Sequence, residues 1–216
     1  MVGQGAFPLV IAAPTGTGKT SLARALIDRH PELVFSISAT TRAPRPGENH
    51  DVDYHFVDDR GFQRLIDGGE LLEWAEVHGR RYGTLRAGVE AALANGQSVV
   101  LDIDVQGARM VRASLPAAVL LFVLPPSVNE MRRRLASRGS GEDRLELHRR
   151  MQTARRELDS VQEFDYVIVN DNFDDAMRRV EAILLAERCR LYRLAHLATT
   201  LASLRADIDQ TIERSH

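Results

Sequence analysis

The segment Ala13–Thr20, APTGTGKT, combines small residues with one lysine and a hydroxyl in the pattern of a phosphate-binding loop. The backbone N–H groups of such a turn, backed by the start of a helix, point at polyphosphate oxygens. Gly16 and Gly18 let the backbone approach closely, Lys19 reaches the terminal phosphates, and the Thr20 hydroxyl can ligate Mg²⁺. The predicted triphosphate-binding residues are Ala13, Pro14, Thr15, Gly16, Thr17, Gly18, Lys19, Thr20 and Ser21.

Lys19 is the only lysine in the chain, because the other 27 of its 28 basic residues are arginine. A phosphate-binding lysine acts as a compact point charge, a role that the longer planar guanidinium fills poorly. Composition and motif therefore both indicate that Lys19 binds phosphate. The alternative is that the position of the single lysine is a coincidence. Ala13 stands where the formal motif has glycine, but alanine is the next smallest residue. A coincidental glycine-rich turn is the competing interpretation.

Two further sets of charged residues indicate anion and metal chemistry. Arg42 and Arg45 lie three apart in the proline-stiffened segment Ser36–Glu48, where two guanidinium forks suit one phosphate monoester. Asp102 and Asp104 end an apolar run, and residues two apart on an extended strand share a face. Both carboxylates are therefore expected in one cleft at the C-terminal end of a strand. A purely structural aspartate at a strand end is the alternative for Asp102.

Four short apolar runs predict the buried parallel strands that must position these residues. The runs are Phe7–Ala13, Ser98–Ile103, Val119–Leu124 and Asp165–Asn170. Between them, Lys19–His30 has helical spacing with Leu22, Leu26 and Ile27 on one face, and Val89–Ala94 and Ala108–Ala113 predict crossover helices. Alternating strands and helices favour an α/β layer sandwich with a parallel sheet.

Two stretches break this alternation. Ser36–Gly83 is rich in proline, glycine, aromatic and acidic residues with short β-like alternation, which predicts an inserted lobe. Arg132–Arg156 holds nine arginines and three carboxylates, and its interruption RGSGED predicts a helix, a turn and a second helix.

Together these motifs resemble the guanylate kinase family. The matching segments are the phosphate loop, TTRAPRPGE, EWAEVHGRRYGT, LDIDVQG, LPPS, RLASRG and VIVND, within Leu9–Glu187. The resemblance implies a P-loop NTPase fold, a three-layer α/β/α sandwich around a parallel sheet, with an inserted α+β lobe that binds GMP and a helical lid. It implies a nucleotide-binding core at 1–35, 85–125 and 164–216, a GMP-binding lobe at 36–84 and a lid at 126–163. The implied activity is ATP-dependent phosphorylation of GMP, and of dGMP, with Mg²⁺, in purine nucleotide metabolism.

The resemblance also implies residue roles. Contacts to guanine fall to Ser38, Glu73, Thr84 and Asp104, and contacts to the GMP phosphate fall to Arg42, Arg45, Tyr54 and Tyr82. The implied catalytic residues are Lys19, Arg42, Arg134, Arg138 and Arg150. Asp102 is expected to orient Mg²⁺ through water, with Thr20 as a direct ligand, and Asn170 is expected beside the adenine of ATP.

The chemistry of Glu73 supports its implied role independently. Guanine presents N–H donors on N1 and N2, which one carboxylate accepts together, whereas the N1 acceptor of adenine would repel it. The competing interpretation of Glu73 is a solvated charge on an amphipathic helix.

The lid departs from the family pattern in its spacing. The segment RGSGEDRLELHRRM is one residue longer than usual, and the usual glutamate pair is replaced by Glu142 and Asp143. Arg150 is therefore assigned to the lid with Arg149 as the alternative. The remaining arginines of this segment, Arg132, Arg133, Arg149, Arg155 and Arg156, are expected on a solvated helix face.

Composition limits the location and the partners. The net charge of −2 gives no general drive toward nucleic acid, and the longest apolar run, Ala117–Leu124, is too short to span a membrane. No secretory signal pattern is visible, and the single Cys189 agrees with a reducing compartment. We therefore expect a cytoplasmic protein whose partners are ATP and GMP, without membrane or nucleic acid.

Two other functions stay open. A kinase for a phosphorylated sugar or another nucleoside monophosphate would act without GMP, and a non-catalytic module would keep the fold only to bind a partner. ADP release with and without GMP separates them.

Two further features lie outside the nucleotide motifs. His50 and His55, near Asp51 and Asp53, have no standard metal-site spacing and are interpreted as polar surface. Leu194, Leu197, Leu201, Leu204 and Ile208 recur at three and four, which predicts a helix that packs on its own core or forms a homo-oligomer.

Overall fold

The computed structural model describes residues 3–77, 79–136 and 144–214. The strands are β1 (Gly3–Gln4), β2 (Pro8–Ala12), β3 (Val34–Phe35), β4 (Ser38–Thr40), β5 (His55–Phe56), β6 (Leu71–Val77), β7 (Arg80–Leu85), β8 (Val99–Asp102), β9 (Val119–Leu124), β10 (Tyr166–Val169) and β11 (Leu194–Ala195). The helices are α1 (Lys19–Arg29), α2 (Asp59–Asp67), α3 (Arg86–Ala94), α4 (Val105–Ser114), α5 (Val128–Ala136), α6 (Arg144–Leu158), α7 (Phe173–Arg188) and α8 (Leu197–Arg214).

The central sheet has the order β10-β9-β2-β8-β3, and all its pairs are parallel. All four predicted apolar runs form strands of this sheet, which confirms the prediction of a parallel core. Every residue of β2 is buried, as expected for a strand covered on both faces. The second run ends as a strand at Asp102 rather than Ile103, because Asp104 already acts as the N-cap of α4.

Helices cover both faces of this sheet and complete the three-layer sandwich. On one face, α1 and α7 pack through apolar residues that include Leu22, Leu26, Met177 and Val180. On the other face, α3 and α4 pack through Val89, Ala92, Ala108 and Val111. The predicted α/β/α architecture is therefore confirmed, and the helix predicted at Lys19–His30 ends one residue early at Arg29.

A second sheet follows β3 in the chain, with the order β5-β4-β7-β6. β7 pairs antiparallel with both β4 and β6, whereas β4 and β5 run parallel. Helix α2 covers this sheet through Phe62, which packs with Ala39 and Leu71. This mixed α+β unit extends from Ser38 to Leu85 and places the ends of its strands beside the phosphate loop's sheet.

Helices α5 and α6 pack against each other through a small apolar cluster of Met131, Leu135 and Ala154. The helix–turn–helix prediction is confirmed for its two helices. Its turn, with the predicted lid residue Arg138 and the Glu142–Asp143 pair, lies outside the described residues.

The first described residues, β1, pair antiparallel with β11, the short strand that precedes the last helix. Helix α8 follows directly and confirms the predicted terminal helix, except that Leu194 belongs to β11. In the described part of the chain, no helix is both long enough and apolar enough to cross a bilayer.

Candidate functional site

The phosphate loop joins β2 to α1, as its motif requires. Gly16 and Gly18 have φ angles of 88° and 90°, a region that side chains other than glycine rarely adopt. A Cβ at Gly18 would also lie 2.6 Å from Nδ2 of Asn170. Ala13 is buried in the core under the loop, so its methyl group packs there without narrowing the phosphate side. No side chain caps the N-terminus of α1, which leaves its N–H groups available to an anion.

Lys19 opens α1 and reaches across to the end of β8. Its Nζ donates to the backbone oxygen of Ile103 at 2.6 Å and lies 2.6 Å from Oδ1 of Asp102. The ammonium is therefore held at the edge of the loop by a carbonyl and a carboxylate. A polyphosphate in the loop would compete with these two oxygens for the same charge.

Asp102 and Asp104 both lie at this end of β8, as predicted. Asp104 Oδ1 accepts from the backbone N–H of Gly107 at 2.7 Å, so this carboxylate caps α4 in addition to facing the cleft. Asp102 Oδ1 is inaccessible to solvent, and the Lys19 ammonium lies 2.6 Å from it. If a polyphosphate draws this ammonium away, the buried oxygen needs another partner.

The donor set at this point suits Mg²⁺. The hydroxyl of Thr20, on an exposed residue at the start of α1, and the carboxylate of Asp102 are hard oxygen donors of the kind Mg²⁺ prefers. The observation that favours a metal ion or its water there is that the buried Oδ1 of Asp102 already faces a cation, the Lys19 ammonium, which a bound polyphosphate would attract. These two residues would hold the ion.

Glu73 lies on β6, opposite Thr84 of β7, and its side chain is only 4% exposed. The interpretation of Glu73 as a solvated charge on a helix is therefore wrong. Thr84 Oγ1 donates to Glu73 Oε1 at 2.6 Å, and Ser38 of β4 pairs with Thr84 on its other side. Burial, followed by the charge of Asp104, raises the pKa of Glu73 to about 7, although the Thr84 hydrogen bond opposes this rise.

The structure thus places Ser38, Thr84 and Glu73 in one row across three neighbouring strands. Asp104 and Lys19 are close enough to act on the charge of Glu73. A planar group bound against this row would meet hydroxyls and a carboxylate. The predicted base-contacting residues are therefore brought together at one edge of the second sheet.

Arg42 is paired with Glu48, a residue whose role no sequence motif indicated. Glu48 accepts from both terminal nitrogens of Arg42 at 2.9 Å each, and also from the backbone N–H of Arg45 at 2.7 Å. The Arg42 hydrogen bond is the largest cause that lowers the pKa of Glu48 below its ordinary value. Arg45 itself is exposed, so its guanidinium is available to an anion on the surface of the cleft.

Tyr54 and Tyr82 lie beside this pair. Their rings meet edge to face with centroids 6.0 Å apart, and the Arg42 guanidinium lies 5.2 Å from the Tyr54 ring centre. Burial raises the pKa of Tyr54 above its ordinary value, so its hydroxyl stays a proton donor. The four predicted phosphate-binding residues therefore share one region of the second sheet.

Asn170 and Arg134 bind the backbone of the phosphate loop. Asn170 is buried, and its Nδ2 donates to the backbone oxygen of Thr17 at 2.7 Å. Arg134 donates to the same oxygen at 3.0 Å and to the Asn170 backbone oxygen at 3.2 Å. Glu130 accepts from Arg134 at 2.7 Å and completes this arrangement. The side chain of Asn170 thus binds the phosphate loop, and its expected position beside the adenine stays a prediction.

The other predicted lid arginines lie on α6 or beyond the described chain. Arg150 is half-buried, whereas its alternative Arg149 is exposed. The arginines expected on the solvated face, Arg132, Arg133, Arg149, Arg155 and Arg156, are all exposed, which confirms that prediction.

The histidine pair outside the cleft comes together with Asp51. Asp51 Oδ1 lies 3.0 Å from Nε2 of His50 and 2.5 Å from Nδ1 of His55. His50 Nδ1 accepts from the backbone N–H of Phe56 at 3.1 Å, which leaves the ring proton on Nε2, facing Asp51. The ligand atoms are near one another, but these hydrogen bonds account for both nitrogens of His50.

Comparisons with known proteins agree with this geometry. A family model described as guanylate kinase matches residues 6–187. Guanylate kinase from Alkalilimnicola ehrlichii is 48% identical over 196 residues, covering 90% of this chain and 96% of that protein. Guanylate kinase from Geobacter sulfurreducens is 44% identical over 195 residues, covering 90% and 96%. The crystal structure of guanylate kinase from Anaplasma phagocytophilum superposes with a TM-score of 0.78 at 35% identity, covering 94% of this chain and 97% of that one.

Proposed function

Since this chain belongs to the guanylate kinase family, we propose that it transfers phosphate from ATP to GMP through the residues gathered around Lys19. The chain is an ATP:GMP phosphotransferase, a nucleoside monophosphate kinase whose products are ADP and GDP. The observation that carries the residue assignment is the buried Glu73 carboxylate beside a phosphate loop. One cleft thereby offers a recognition group for guanine and a cradle for a triphosphate.

Guanine recognition is assigned to the row of Ser38, Thr84 and Glu73, with Asp104. The Glu73 carboxylate accepts from N1–H and N2–H₂, and Thr84 holds that carboxylate in place through its 2.6 Å hydrogen bond. Adenine would present a lone pair at N1 instead, leaving a buried carboxylate facing an acceptor. Unpaired charged groups in buried sites cost about 1–3 kcal/mol or more, which is enough to select against AMP.

The acceptor phosphate is assigned to Arg42, Arg45, Tyr54 and Tyr82. Glu48 orients the Arg42 fork through two hydrogen bonds of 2.9 Å, so the guanidinium is fixed before the substrate arrives. Pre-oriented donors lose less entropy on binding than free side chains do. The tyrosine hydroxyls supply neutral donors, which add hydrogen bonds to the phosphate dianion without further net charge.

The donor phosphates are assigned to the phosphate loop and the lid arginines. Lys19 would exchange the oxygens of Asp102 and Ile103 for those of the β- and γ-phosphates. Arg134 already contacts the loop, and Arg138 and Arg150 would complete the positive charge above the donor. Phosphoryl transfer needs mainly positioning and charge neutralisation, which is what cations on both sides of two anions provide.

Mg²⁺ is assigned to Thr20 and Asp102, the latter through water. When bound, the ion would neutralise charge on the β- and γ-phosphate oxygens. The chain's own part is to present the Thr20 hydroxyl and the Asp102 carboxylate oxygen that Lys19 would release at the same end of the loop.

The acceptor range is proposed to include dGMP. None of the contacts assigned so far involves the 2′-hydroxyl, so the base and phosphate interactions persist without it. The exposed free thiol of Cys189 is compatible with a reducing compartment, and we propose the cytoplasm as the location.

We propose that α8 forms the contact between the subunits of a homo-oligomer. No residue of this helix is buried, and Leu201, Leu204, Ile208 and Ile212 are between 42% and 57% exposed along one stripe. Spacings of three and four residues suit packing against a second helix of the same kind.

The experiment that tests this function is a coupled assay of ADP release. ATP and Mg²⁺ are supplied with GMP, dGMP, AMP, CMP, UMP, a sugar phosphate or no acceptor. ADP should form with GMP and dGMP only, and turnover without an acceptor should be negligible. Release of ADP with a sugar phosphate instead, or no release with GMP, would reject the proposed assignment.

A further inference from the structure

Among the described residues, three buried side-chain oxygens have no hydrogen-bond partner: Thr17 Oγ1, Asp102 Oδ1 and Glu157 Oε2, of which Asp102 Oδ1 lies 2.6 Å from the Lys19 ammonium. Buried polar atoms are almost always paired, so each exception needs an explanation. Thr17 belongs to the phosphate loop and Asp102 to the assigned cation site. Glu157 has no assigned role, although it shares the property that marks the other two.

Glu157 lies in the last turn of α6 and is held there from two sides. One turn earlier, Ala154 packs against Met131 and Leu135 of α5, which in turn contacts Gly16 of the phosphate loop. Three residues later, Ser160 accepts from Arg109 of α4 at 2.7 Å. This end of α6 is therefore held between α5 and α4, and Oε2 of the half-buried Glu157 is inaccessible to solvent.

The charges that act on Glu157 belong to the nucleotide cleft. Burial is the main cause that raises its pKa to about 7, the charge of Asp104 adds to the rise, and Lys19 opposes it. Asp104 also raises the pKa of Glu73. Asp104 thus acts on both carboxylates, and Glu157 approaches the cleft from the lid, whereas Glu73 approaches it from the second sheet.

In its ionised form Glu157 only accepts hydrogen bonds, so the missing partner of Oε2 is a donor that enters the cleft. A carboxylate offers acceptors, and the phosphates of both nucleotides offer no donor and would repel it. Under the proposed function, the guanine N–H groups are already taken by Glu73 and Asp104. The donors of GMP that remain are the ribose hydroxyls.

We propose that Glu157 accepts a hydrogen bond from a ribose hydroxyl of GMP. The lid would then contact the bound acceptor directly. The inference rests on the proposed function for the identity of the nucleotide. It gives the second helix of the lid a contact to the acceptor, in addition to the arginine contacts to the phosphates. Closing on a bound GMP would satisfy an oxygen that is otherwise buried without a partner.

The test measures nucleotide binding and kinetics for Glu157→Ala and Glu157→Gln. Loss of a hydrogen bond to a charged group should weaken GMP binding by calorimetry roughly tenfold in Glu157→Ala, with the KM for ATP unchanged. Glu157→Gln keeps an acceptor oxygen and should recover part of that loss. Removal of an unsatisfied buried carboxylate should leave the melting temperature equal or higher, whereas a purely structural role would lower it.

Asp159→Asn is the matched control, because Asp159 is exposed two residues away and pairs only with Arg155 among the described contacts. A smaller loss for dGMP than for GMP assigns the bond to the 2′-hydroxyl, and an equal loss assigns it to the 3′-hydroxyl. GMP binding within twofold of the wild type in Glu157→Ala, or an equal loss in the control, would overturn the proposal. Because calorimetry needs no turnover, this result stays separate from the ADP-release test of the function.

Discussion

Lys19 and Asp102 form an ion pair of 2.6 Å at the mouth of the phosphate loop. The pair connects the start of α1 with the end of β8, and its two residues are 83 positions apart in the sequence. In the protein without nucleotide, this pair neutralises an ammonium and a carboxylate that the reaction needs for different partners. Nucleotide binding must therefore separate two residues that stabilise each other.

Replacement of Lys19 by alanine should lower kcat by roughly 10²–10³-fold, the range seen when one preorganised transition-state donor is removed. The loss of the Asp102 partner should also cost about 1–3 kcal/mol of folding free energy. Steady-state kinetics and urea denaturation measure the two effects. Lys19→Arg keeps the charge and should still lose most activity, because the planar group cannot act as a compact point charge. Near-normal turnover in a folded Lys19→Ala protein would contradict the assignment.

Glu48→Gln should raise the KM for GMP roughly fivefold, corresponding to about 1 kcal/mol, with little change in the KM for ATP. The reason is that a neutral amide cannot hold both terminal nitrogens of Arg42 as a carboxylate does. Asp67→Asn, on the exposed side of α2, provides the control. If Glu48 instead competed with the substrate for Arg42, the KM for GMP would fall.

The raised pKa of Glu73 predicts a dependence of stability on pH. A carboxyl whose pKa is about 7 when folded and about 4.5 when unfolded stabilises the fold below pH 4.5, and that stabilisation is lost as the pH rises through 7. The difference corresponds to about 3 kcal/mol. Urea denaturation should show that Glu73→Gln, which cannot ionise, loses less stability than the wild type between pH 4.5 and 8. Parallel pH profiles for the two proteins would count against a protonated Glu73 in the free enzyme.

The same ionisation should affect substrate binding in the opposite direction. Glu73 must be ionised to accept both guanine donors, so GMP affinity should increase with pH through 7. The comparison with Glu73→Gln separates this effect from titration of the GMP phosphate and of Glu157, since both remain in the variant.

The exposed stripe on α8 predicts self-association. Leu204→Asp should convert a dimer in sedimentation velocity into a monomer of 24.1 kDa, because a charge would be buried in the helix contact. Ser203→Asp adds the same charge one position away, off the stripe, and should leave the dimer intact. A wild type that sediments as a monomer at tens of micromolar would contradict the proposal that α8 forms a dimer contact.

The local patterns in the sequence predicted most of the core. The four strands were predictable because short apolar runs have few other stable environments, and the phosphate loop because its motif requires one strand–turn–helix context. The helical face of Leu22 and Leu26 also packs as expected. These features depend on residues that are near one another in the chain.

The features that were missed depend on contacts between distant residues. Glu157 has an ordinary helical surface spacing, and only the packing of α6 on α5 makes its oxygen buried and unpaired. Arg193 is likewise buried, over Phe7 at 4.2 Å and beside Glu187, so it joins the segment before α8 to the start of the central sheet. No local pattern distinguishes these residues from the many solvated charges around them.

Guanine recognition by Glu73 is measured most directly as the ratio of kcat/KM for GMP to that for AMP, determined side by side for the wild type and Glu73→Gln. If Glu73 reads guanine in the cleft of a phosphate loop, the ratio should fall at least tenfold in the variant, mainly through the KM for GMP, while the KM for ATP stays constant. An unchanged ratio in a folded Glu73→Gln protein would contradict guanine recognition by Glu73.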